Sequence, residues 1–456
     1  MNMKTDRMAD RMTERTRRLG LLLLGAVVAV MLSATPVRAV EVERVVSPGG
    51  IEAWLIQDPT NPITTMKFSF RGGSALDPAG KEGLANFVAS TLDEGAGDMD
   101  SSAFQRALDE RSITLRFNAG RDTFRGTLRT LNKYRDEAFD YMRLALNEPR
   151  FDPEPLTRLR AQIMSGIKQD LENPGNLASR AIFETAFEGH PYARDNDGTL
   201  ESMAAVTAGD MRGFVRERLA RNNLLIGVVG DIDAETLKRY LDRTFGALPE
   251  KATPWTLDKI TPKLNGGIKV IDVDVPQSSI QFAQPGILRN DPDFYIAYVL
   301  NYVIGGGGFV SRLYEEVREK RGLAYSVYSY LMPLDAAGAV MGGSGTANAR
   351  VGETVQTVRD VWKKFAESGP TADELNDTKT YLTGAFPLRF TSSSAIADML
   401  VGMQEDGLGI DYIDKRNGYI DAVTLDDATR VAKRLYQPDK LTFVIAGKPE
   451  GITTGN

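Results

Sequence analysis

The fold is decided by the stretch Thr207-Ala-Gly-Asp-Met-Arg-Gly-Phe-Val-Arg-Glu-Arg-Leu-Ala-Arg-Asn-Asn-Leu-Leu-Ile-Gly-Val-Val-Gly230, because a related stretch returns near the C-terminus. The second copy is Thr424-Leu-Asp-Asp-Ala-Thr-Arg-Val-Ala-Lys-Arg-Leu-Tyr-Gln-Pro-Asp-Lys-Leu-Thr-Phe-Val-Ile-Ala-Gly447. Each contains a threonine suited to cap a helix, an acidic first turn, an amphipathic helix, a polar break and an apolar strand that ends in glycine. The threonines, the first strand residues and the closing glycines keep one constant offset. This pattern predicts an internal duplication.

Outside this repeat, strand and helix patterns alternate along the chain. Strand patterns occupy Ile51–Gln57, Thr64–Phe70, Ile113–Leu131 (as a hairpin), Ile268–Val275, Ser278–Gln284 and Leu323–Leu331. Helix patterns occupy Gly83–Asp93, Ser102–Arg111, Arg135–Asn147, Pro155–Glu172, Phe294–Val303, Ser311–Arg321, Thr354–Ser368 and Thr371–Gly384. Neighbouring strands with short turns, and helices gathered between them, predict an α+β fold with largely antiparallel sheets.

These patterns predict two homologous halves, each a mostly antiparallel sheet packed with helices, joined by an extended linker. The N-terminal half is expected to span residues 40–248 and the C-terminal half residues 268–456. Residues 249–267 between them contain three prolines, end in a glycine pair and lack clean periodicity, which is typical of a linker.

Residues 1–39 have the order of a signal peptide. Five arginines precede an almost wholly apolar run over residues 19–32, and Val37-Arg38-Ala39 offers a cleavage site. A single membrane anchor is the alternative, but the run is short for a span. We therefore expect cleavage near Ala39 and, in a Gram-negative cell, a periplasmic mature protein that does not bind membranes.

Composition excludes several classes of site. The 456 residues include no cysteine and a single histidine, His190, and the net charge is −6. Disulfides, thiol nucleophiles and thiolate metal sites are therefore absent, and a zinc site built on histidines lacks its usual three or four ligands. The acidic balance gives no footprint for nucleic acid. His190 is expected to be structural.

A second segment has the form of a metal-binding helix without its ligands. It reads Arg71-Gly-Gly-Ser-Ala-Leu-Asp-Pro-Ala-Gly-Lys-Glu-Gly-Leu-Ala-Asn-Phe-Val-Ala-Ser90. In the inverted zincin order H-x-x-E-H, two histidines share one helix face and a glutamate activates the metal-bound water. Asn86, Ala89 and Ser90 stand at those three positions. We therefore expect no metal on this chain, because these residues are poor zinc ligands or have no polar side chain.

The most specific stretch is Gly305-Gly-Gly-Gly-Phe-Val-Ser-Arg-Leu-Tyr-Glu-Glu-Val-Arg-Glu-Lys-Arg-Gly-Leu-Ala-Tyr-Ser-Val-Tyr-Ser329. It predicts a loop, a helix capped by Ser311 and stopped by Gly322, and then a strand. Arg318 ends the helix and Tyr325 opens the strand, so this junction can aim both side chains at one point.

The glycine run at the start of that stretch has two interpretations. It comprises Gly305, Gly306, Gly307 and Gly308 and lacks the Gly-Lys-Ser/Thr ending of a phosphate-binding loop. It is either a flexible loop that contacts a bound peptide or a structural turn.

Together these segments resemble the insulinase/pitrilysin family of inverted-zincin peptidases, over essentially the whole mature chain. The family has two similar α+β halves and a third zinc ligand, a glutamate, on a later helix. The matching stretch here, Ala161-Gln-Ile-Met-Ser-Gly-Ile167, has no carboxylate. The resemblance also implies that Arg318 and Tyr325 reach toward a zinc site, hold the substrate backbone and stabilise charge at the scissile carbonyl.

In several bacterial members of that family, the zinc helix and the Arg/Tyr pair lie on different chains. The resemblance therefore implies a non-catalytic subunit of a heterodimeric zinc metallopeptidase, with no catalytic residue acting on this chain alone. It implies no cofactor on this chain, zinc on a partner subunit of the same family, and peptides or unfolded polypeptides as substrates.

Two alternatives stay open on the sequence. Some family members are structural subunits of larger complexes, so the chain could be a peptide-binding or assembly protein with no catalytic role. The abundant carboxylates could instead hold a hard cation in an independent metal enzyme, but no ligand cluster stands out. Intact Arg318 and Tyr325 favour the peptidase complex, because a scaffold has no need of them.

Overall fold

The computed structural model describes residues 41–455, and the expected signal peptide lies outside that range. The strands are β1 (Glu43–Val46), β2 (Glu52–Gln57), β3 (Ile63–Arg71), β4 (Thr114–Ala119), β5 (Thr123–Leu131), β6 (Leu224–Gly230), β7 (Ile268–Asp272), β8 (Gln277–Pro285), β9 (Ala324–Pro333), β10 (Gly338–Ala347) and β11 (Thr442–Gly447). The helices are α1 (Leu84–Ala89), α2 (Ser101–Glu110), α3 (Arg135–Asn147), α4 (Pro153–Asp170), α5 (Pro174–Ala186), α6 (Leu200–Ala205), α7 (Ala208–Arg218), α8 (Ala234–Phe245), α9 (Phe294–Asn301), α10 (Val351–Ser368), α11 (Ala372–Gly384), α12 (Ser393–Glu405), α13 (Tyr412–Asp421) and α14 (Leu425–Leu435). Among residues 41–455, the helices lack the combined length and hydrophobicity needed to cross a bilayer.

The strands form two sheets whose internal orders repeat each other. The first sheet has the order β1-β2-β6-β3-β5-β4 and the second the order β7-β11-β8-β10-β9. β6 is parallel to β2 and antiparallel to β3, and β11 is parallel to β7 and antiparallel to β8. The other pairs are antiparallel. The α+β fold with two similar, mostly antiparallel halves is thereby confirmed.

The repeated unit is α7 with β6 in the first half and α14 with β11 in the second. Each helix begins after a threonine whose hydroxyl accepts a hydrogen bond from the backbone N–H three residues later. Each strand closes on a glycine with positive φ, 147° at Gly230 and 153° at Gly447. A Cβ there would collide with Ile63 in the first half and Ser278 in the second, so glycine is required at both positions.

The two sheets share a second device, a glycine covered by a buried phenylalanine of the neighbouring strand. Phe68 lies opposite Gly126 in the β3–β5 register, and Phe282 lies opposite Gly342 in the β8–β10 register. A Cβ on either glycine would collide with the aromatic ring. The ring supplies the packing that the glycine lacks, so each pair fills the core at the centre of its sheet.

Each half has its own hydrophobic core, but each also lends one helix to the other half. α5 precedes the second half in sequence yet packs on β8 and β11, where Ile182 and the helix alanines meet Ala283 and Val444. α12 packs on β6 and β3 of the first sheet. Gly227 permits this approach, because a Cβ there would lie 2.8 Å from the Ala397 carbonyl oxygen. The halves are therefore interlocked.

Residues 249–267 are extended and contain no helix or strand. Backbone hydrogen bonds tie them to both halves: Arg221 N–H donates to the Pro249 oxygen at 2.9 Å, and Ile260 N–H donates to the Ala336 oxygen at 2.9 Å. The segment is thus held in place by both halves instead of hanging between them.

Candidate functional site

The helix that corresponds to the metal-binding motif is short and tightly capped. α1 covers only Leu84–Ala89 of the helix expected over Gly83–Asp93. The carboxylate of Asp77 accepts hydrogen bonds from the backbone N–H of Gly83 at 3.0 Å and of Ala85 at 3.1 Å. Burial nevertheless raises the pKa of Asp77 to about 7. The start of α1 is therefore closed to solvent and satisfied within the chain.

The three positions of the motif do not fit a zinc ion. Asn86 Nδ2 donates to Asp197 Oδ1 at 2.7 Å, Ser90 Oγ donates to the Asn86 carbonyl oxygen at 2.9 Å, and Ala89 is buried. The stretch 161–167 lies on α4 and offers no carboxylate. Within residues 41–455, no group of three or more His, Cys, Asp or Glu side chains is arranged to hold a metal. No reaction step is therefore assigned to a metal on this chain.

His190 uses both ring nitrogens within the structure. Nδ1 accepts a hydrogen bond from the Tyr192 backbone N–H at 3.2 Å, and Nε2 lies 3.0 Å from the Asp258 carbonyl oxygen. Because that oxygen can only accept, Nε2 carries the proton. The ring joins the turn before Tyr192 to residues 249–267, and it is buried.

In the second half, Arg318 lies on a π-helical turn instead of the α-helix expected over residues 311–321. The turn spans Tyr314–Glu319, and the Lys320 N–H donates to the Glu315 carbonyl oxygen, five residues back, at 2.9 Å. A π turn inserts one extra residue into a helix and is found frequently at functional sites. It changes the direction in which Arg318 leaves the helix.

Tyr325 lies on a second irregularity, a β-bulge in β9. The register between β9 and β10 slips by one residue beside Ser344, so Tyr325 and Ser326 both oppose Gly345. The extra residue leaves the Tyr325 side chain 83% exposed, whereas Val327, two residues further on, is buried. A bulge of this kind re-aims a side chain without ending the strand.

The π turn and the bulge bring the two predicted residues together. The Arg318 guanidinium carbon lies 4.6 Å from the centre of the Tyr325 ring, 4.8 Å from that of Tyr314 and 5.8 Å from that of Phe309. Arg318 Nη1 also donates to the hydroxyl of Tyr314, which is only 8% exposed. Sequence reasoning missed Tyr314 and Phe309, although the i, i+4 spacing of Tyr314 and Arg318 was a signal for the first.

The glycine run Gly305–Gly308 changes from packed to open along its length. Its first three residues leave no room for a side chain, because a Cβ would collide with Ser329, Asn301 or Tyr302. Gly308 has a φ of 58° and open space around it, and the next two residues, both apolar, are exposed. The run therefore acts as a packed turn that carries an exposed apolar tip next to Arg318.

The structure does not join the two groups of candidate residues. Within residues 41–455, no hydrogen bond, ion pair or cation–π contact links Asn86 or Ser90 to Arg318 or Tyr325. The closed motif and the Arg/Tyr pair are thus separate regions of one chain.

Two models of one protein family match this chain. The model described as Insulinase (Peptidase family M16) matches residues 53–199, and the model described as Peptidase M16 inactive domain matches residues 205–382. Together they cover more than half of the sequence.

Individual relatives cover most of the chain. The non-peptidase homolog YmxG of Helicobacter pylori is 27% identical over 386 residues, which are 84% of this chain and 89% of that protein. An uncharacterized zinc protease of Streptomyces coelicolor is 26% identical over 399 residues, 86% of each chain. A crystal structure of a peptidase M16 inactive domain from Pseudomonas fluorescens matches with a TM-score of 0.84 at 28% identity, over 90% of this chain and 98% of that one.

The family models, these relatives and the paired sheets agree with one another, and the donor set at α1 does not fit zinc. The chain belongs to the insulinase family, peptidase family M16, as a peptidase-like homologue without the zinc ligands of the family.

Proposed function

We propose that this chain is the non-catalytic subunit of a heterodimeric zinc metallopeptidase. A zinc-bearing member of the same family would provide the metal and the general base, and this chain would provide Arg318 and Tyr325. The observation that carries the proposal is the position of an exposed tyrosine 4.6 Å from an arginine, with each residue on its own backbone irregularity.

The chemistry of the pair suits the carbonyl group of a peptide substrate. Arginine has five N–H donors, and Arg318 directs one of them to Tyr314. The Tyr325 hydroxyl makes no hydrogen bond to any residue that the structure describes. Both groups can therefore donate to a substrate oxygen as negative charge develops on it, and one such donor is worth about 10²–10³-fold in kcat.

The lack of zinc ligands in the first half is consistent with a metal that lies on a partner chain. Asn86 and Ser90 make hydrogen bonds inside the chain, and an amide and a hydroxyl are not the His, Cys or carboxylate ligands that zinc takes. Hydrolysis would then depend on the partner, and substrate binding would be shared. Peptides and unfolded segments fit this role, because an extended backbone can present its carbonyl groups to an exposed pair.

The test uses the mature chain with and without a zinc-bearing partner of the family and an unstructured peptide as substrate. The chain alone should not cleave the peptide at any zinc concentration, and the complex should. Arg318→Ala should lower kcat of the complex by about 10²–10³-fold. Arg321→Ala removes an arginine that pairs with Glu316 in the same region and should leave kcat unchanged. Zinc-dependent cleavage by the lone chain, or full activity of the Arg318→Ala complex, contradicts the proposal.

The proposal includes export to the periplasm. It rests on the arginine-rich start, the apolar run and the small-residue cleavage site of residues 1–39. Mass spectrometry of the protein purified from a periplasmic fraction should give a mature N-terminus at Val40. Recovery of the uncleaved chain from the cytoplasm would contradict this part of the proposal.

A further inference from the structure

The first half contains a cavity of about 540 Å³ whose lining includes neither Arg318 nor Tyr325. Its walls are the β4–β5 turn, helix α5 and the segment that leads into α6. Small-ligand sites typically have volumes of about 300–1,000 Å³. The charged residues of the lining are Arg121, Arg180, Arg194, Glu82, Glu184, Asp195 and Asp197. The cavity therefore offers both signs of charge.

Arg121 is a cation of this cavity that lacks a counter-charge in contact. Within residues 41–455 it forms no ion pair, and its donors make only long hydrogen bonds to the carbonyl oxygens of Tyr192, at 3.3 Å, and Arg194, at 3.4 Å. Its guanidinium carbon lies 3.8 Å from the centre of the Phe183 ring, which holds the group in place. Burial lowers the pKa of Arg121. Three of its five N–H groups are left without an acceptor in the described part of the chain.

The nearest carboxylates are engaged elsewhere. Asp195 Oδ2 lies 3.2 Å from Arg180 Nε, and Asp195 Oδ1 accepts from the Asp197 backbone N–H at 2.9 Å. Asp122 Oδ1 accepts from the Tyr192 hydroxyl at 2.5 Å, and its other oxygen accepts from a backbone N–H at 3.1 Å. The donors of Arg121 are therefore available to the carboxylate of a ligand.

Asp197 presents the opposite case in the same cavity. It accepts one hydrogen bond from Asn86 and forms no ion pair within residues 41–455. Burial, together with the nearby carboxylates of Asp195 and Asp170, raises the pKa of Asp197. A cation placed beside Asp197 would relieve this unfavourable environment.

We propose that the cavity binds a short peptide as its zwitterion, with the terminal carboxylate on Arg121 and the terminal ammonium on Asp197. An arginine fork matches a carboxylate in geometry and charge, and the half-buried carboxylate of Asp197 matches an ammonium. Because the cavity would contact only the two termini, it would not distinguish the peptide's side chains. Binding should therefore depend on free termini more than on the peptide sequence. This site is independent of the proposed role of Arg318 and Tyr325.

The test is calorimetry of the mature chain alone with trialanine, N-acetyl-trialanine and trialanine amide. Trialanine should bind at one site, and blocking either end should weaken binding by roughly tenfold or more, the usual worth of a hydrogen bond between charged groups. Arg121→Gln should weaken trialanine binding by a similar factor and abolish the difference between trialanine and its amide. Asp197→Asn should abolish the difference between trialanine and its acetylated form. Arg129→Gln changes an exposed arginine of β5, the strand that follows the turn of Arg121, and should bind like the unmodified chain.

Three results would overturn this inference: no binding of trialanine at millimolar concentration, equal binding of the free and blocked peptides, or unchanged affinity in Arg121→Gln. The blocked peptides test the unmodified chain, so the outcome does not depend on whether a variant folds. Because the assay measures neither hydrolysis nor partner binding, its failure is distinct from failure of the proposed subunit function.

Discussion

The start of α1 and the junction that carries Arg318 and Tyr325 differ in their backbone geometry and in whether their polar groups are paired inside the chain. In the first region, regular backbone is capped by Asp77, and Asn86 and Ser90 find hydrogen-bond partners inside the chain. In the second, a π turn and a bulge interrupt regular structure and leave a tyrosine exposed beside an arginine.

The difference between the two regions supports the proposed role of Arg318 and Tyr325. Regular, internally satisfied structure needs no reason beyond stability, whereas an irregular backbone loses local hydrogen bonds and needs a compensating gain. At α1 the polar groups stabilise the fold. At the Arg318 junction the irregularities yield little for stability, since their result is an exposed Tyr325. The second region is therefore where we propose that the chain meets its substrate.

The proposed difference between the two regions is tested most directly by alanine substitution in each region and measurement of kcat in the same complex. Arg318→Ala should lower kcat of peptide hydrolysis by about 10²–10³-fold, because it removes a donor to the developing charge. Asn86→Ala should change kcat less than twofold, by the same reasoning, because its amide faces Asp197 and not the substrate. Steady-state kinetics with the zinc-bearing partner measures both. Equal losses in the two variants would mean that the first region also serves the reaction.

The start of α1 should make the free energy of unfolding depend on pH. Burial raises the pKa of Asp77 from its usual 3.8 to about 7, so the folded state holds the proton more tightly than the unfolded chain. The contribution of protonated Asp77 is fully present below pH 3.8 and is lost as pH rises through about 7. The free energy of unfolding should therefore fall by on the order of 2 kcal/mol between pH 5 and pH 8 from this residue.

Asp77→Asn removes the titrating group, so urea unfolding at the two pH values should show a smaller difference than in the unmodified chain. Asp109→Asn, at an exposed position of α2, serves as the control and should keep the full difference. If Asp77→Asn leaves the pH dependence intact, the buried carboxylate is not its source.

The activity of the complex should depend on the hydroxyl of Tyr325. Tyr325→Phe keeps the ring over Arg318 and removes only the phenolic donor, so kcat of the complex should fall about 10²-fold with no change in melting temperature. Tyr328→Phe alters another exposed tyrosine of β9 and should retain activity. Equal activity of Tyr325→Phe and the unmodified chain would limit Tyr325 to a packing role against Arg318.

Most of the fold could be predicted from the sequence because the repeated helix–strand unit has strong local signals. The capping threonines and closing glycines of α7–β6 and α14–β11 stand where the sequence predicts them. The patterns missed β1, α5, α6, α8, α12, α13 and β10. α5 begins with Pro174-Gly175, which reads as a turn, and its apolar face is buried on the other half. β10 contains Gly342 and Gly343, so its sequence lacks the alternation of apolar and polar residues that predicts a strand. The ring of Phe282 on the neighbouring strand fills the space beside Gly342 in the core.

The sequence offered candidate residues for the site but not their geometry. Arg318 and Tyr325 follow from the resemblance to the family, but a periodic pattern does not encode the extra residue of a π turn or a bulge. Tyr314 has the spacing of an apolar helix face, so its hydroxyl was overlooked. The approach of Arg318 to Tyr325, in contrast, depends on the packing of the helix against β9, which only tertiary structure reveals.

The smallest effect is expected for Tyr314, which lies beside Arg318. Tyr314 is buried and accepts a hydrogen bond from Arg318, so it positions the guanidinium without reaching the substrate. Tyr314→Phe should lower kcat about threefold to tenfold and leave KM unchanged, as expected from the loss of one hydrogen bond worth about 0.5–1.5 kcal/mol.

A double-mutant cycle separates positioning from general stability. If Tyr314 acts through Arg318, Tyr314→Phe should cause no further loss of kcat in the Arg318→Ala complex, because the group it positions is gone. A loss of the same size in both backgrounds would show that Tyr314 supports the fold around β9 and not the arginine. Phe309 gives a matched comparison, since its ring also faces Arg318 but offers no hydrogen-bond acceptor. Phe309→Leu should therefore retain more activity than Tyr314→Phe, and the reverse order would assign the positioning of Arg318 to ring contacts and not to the hydroxyl.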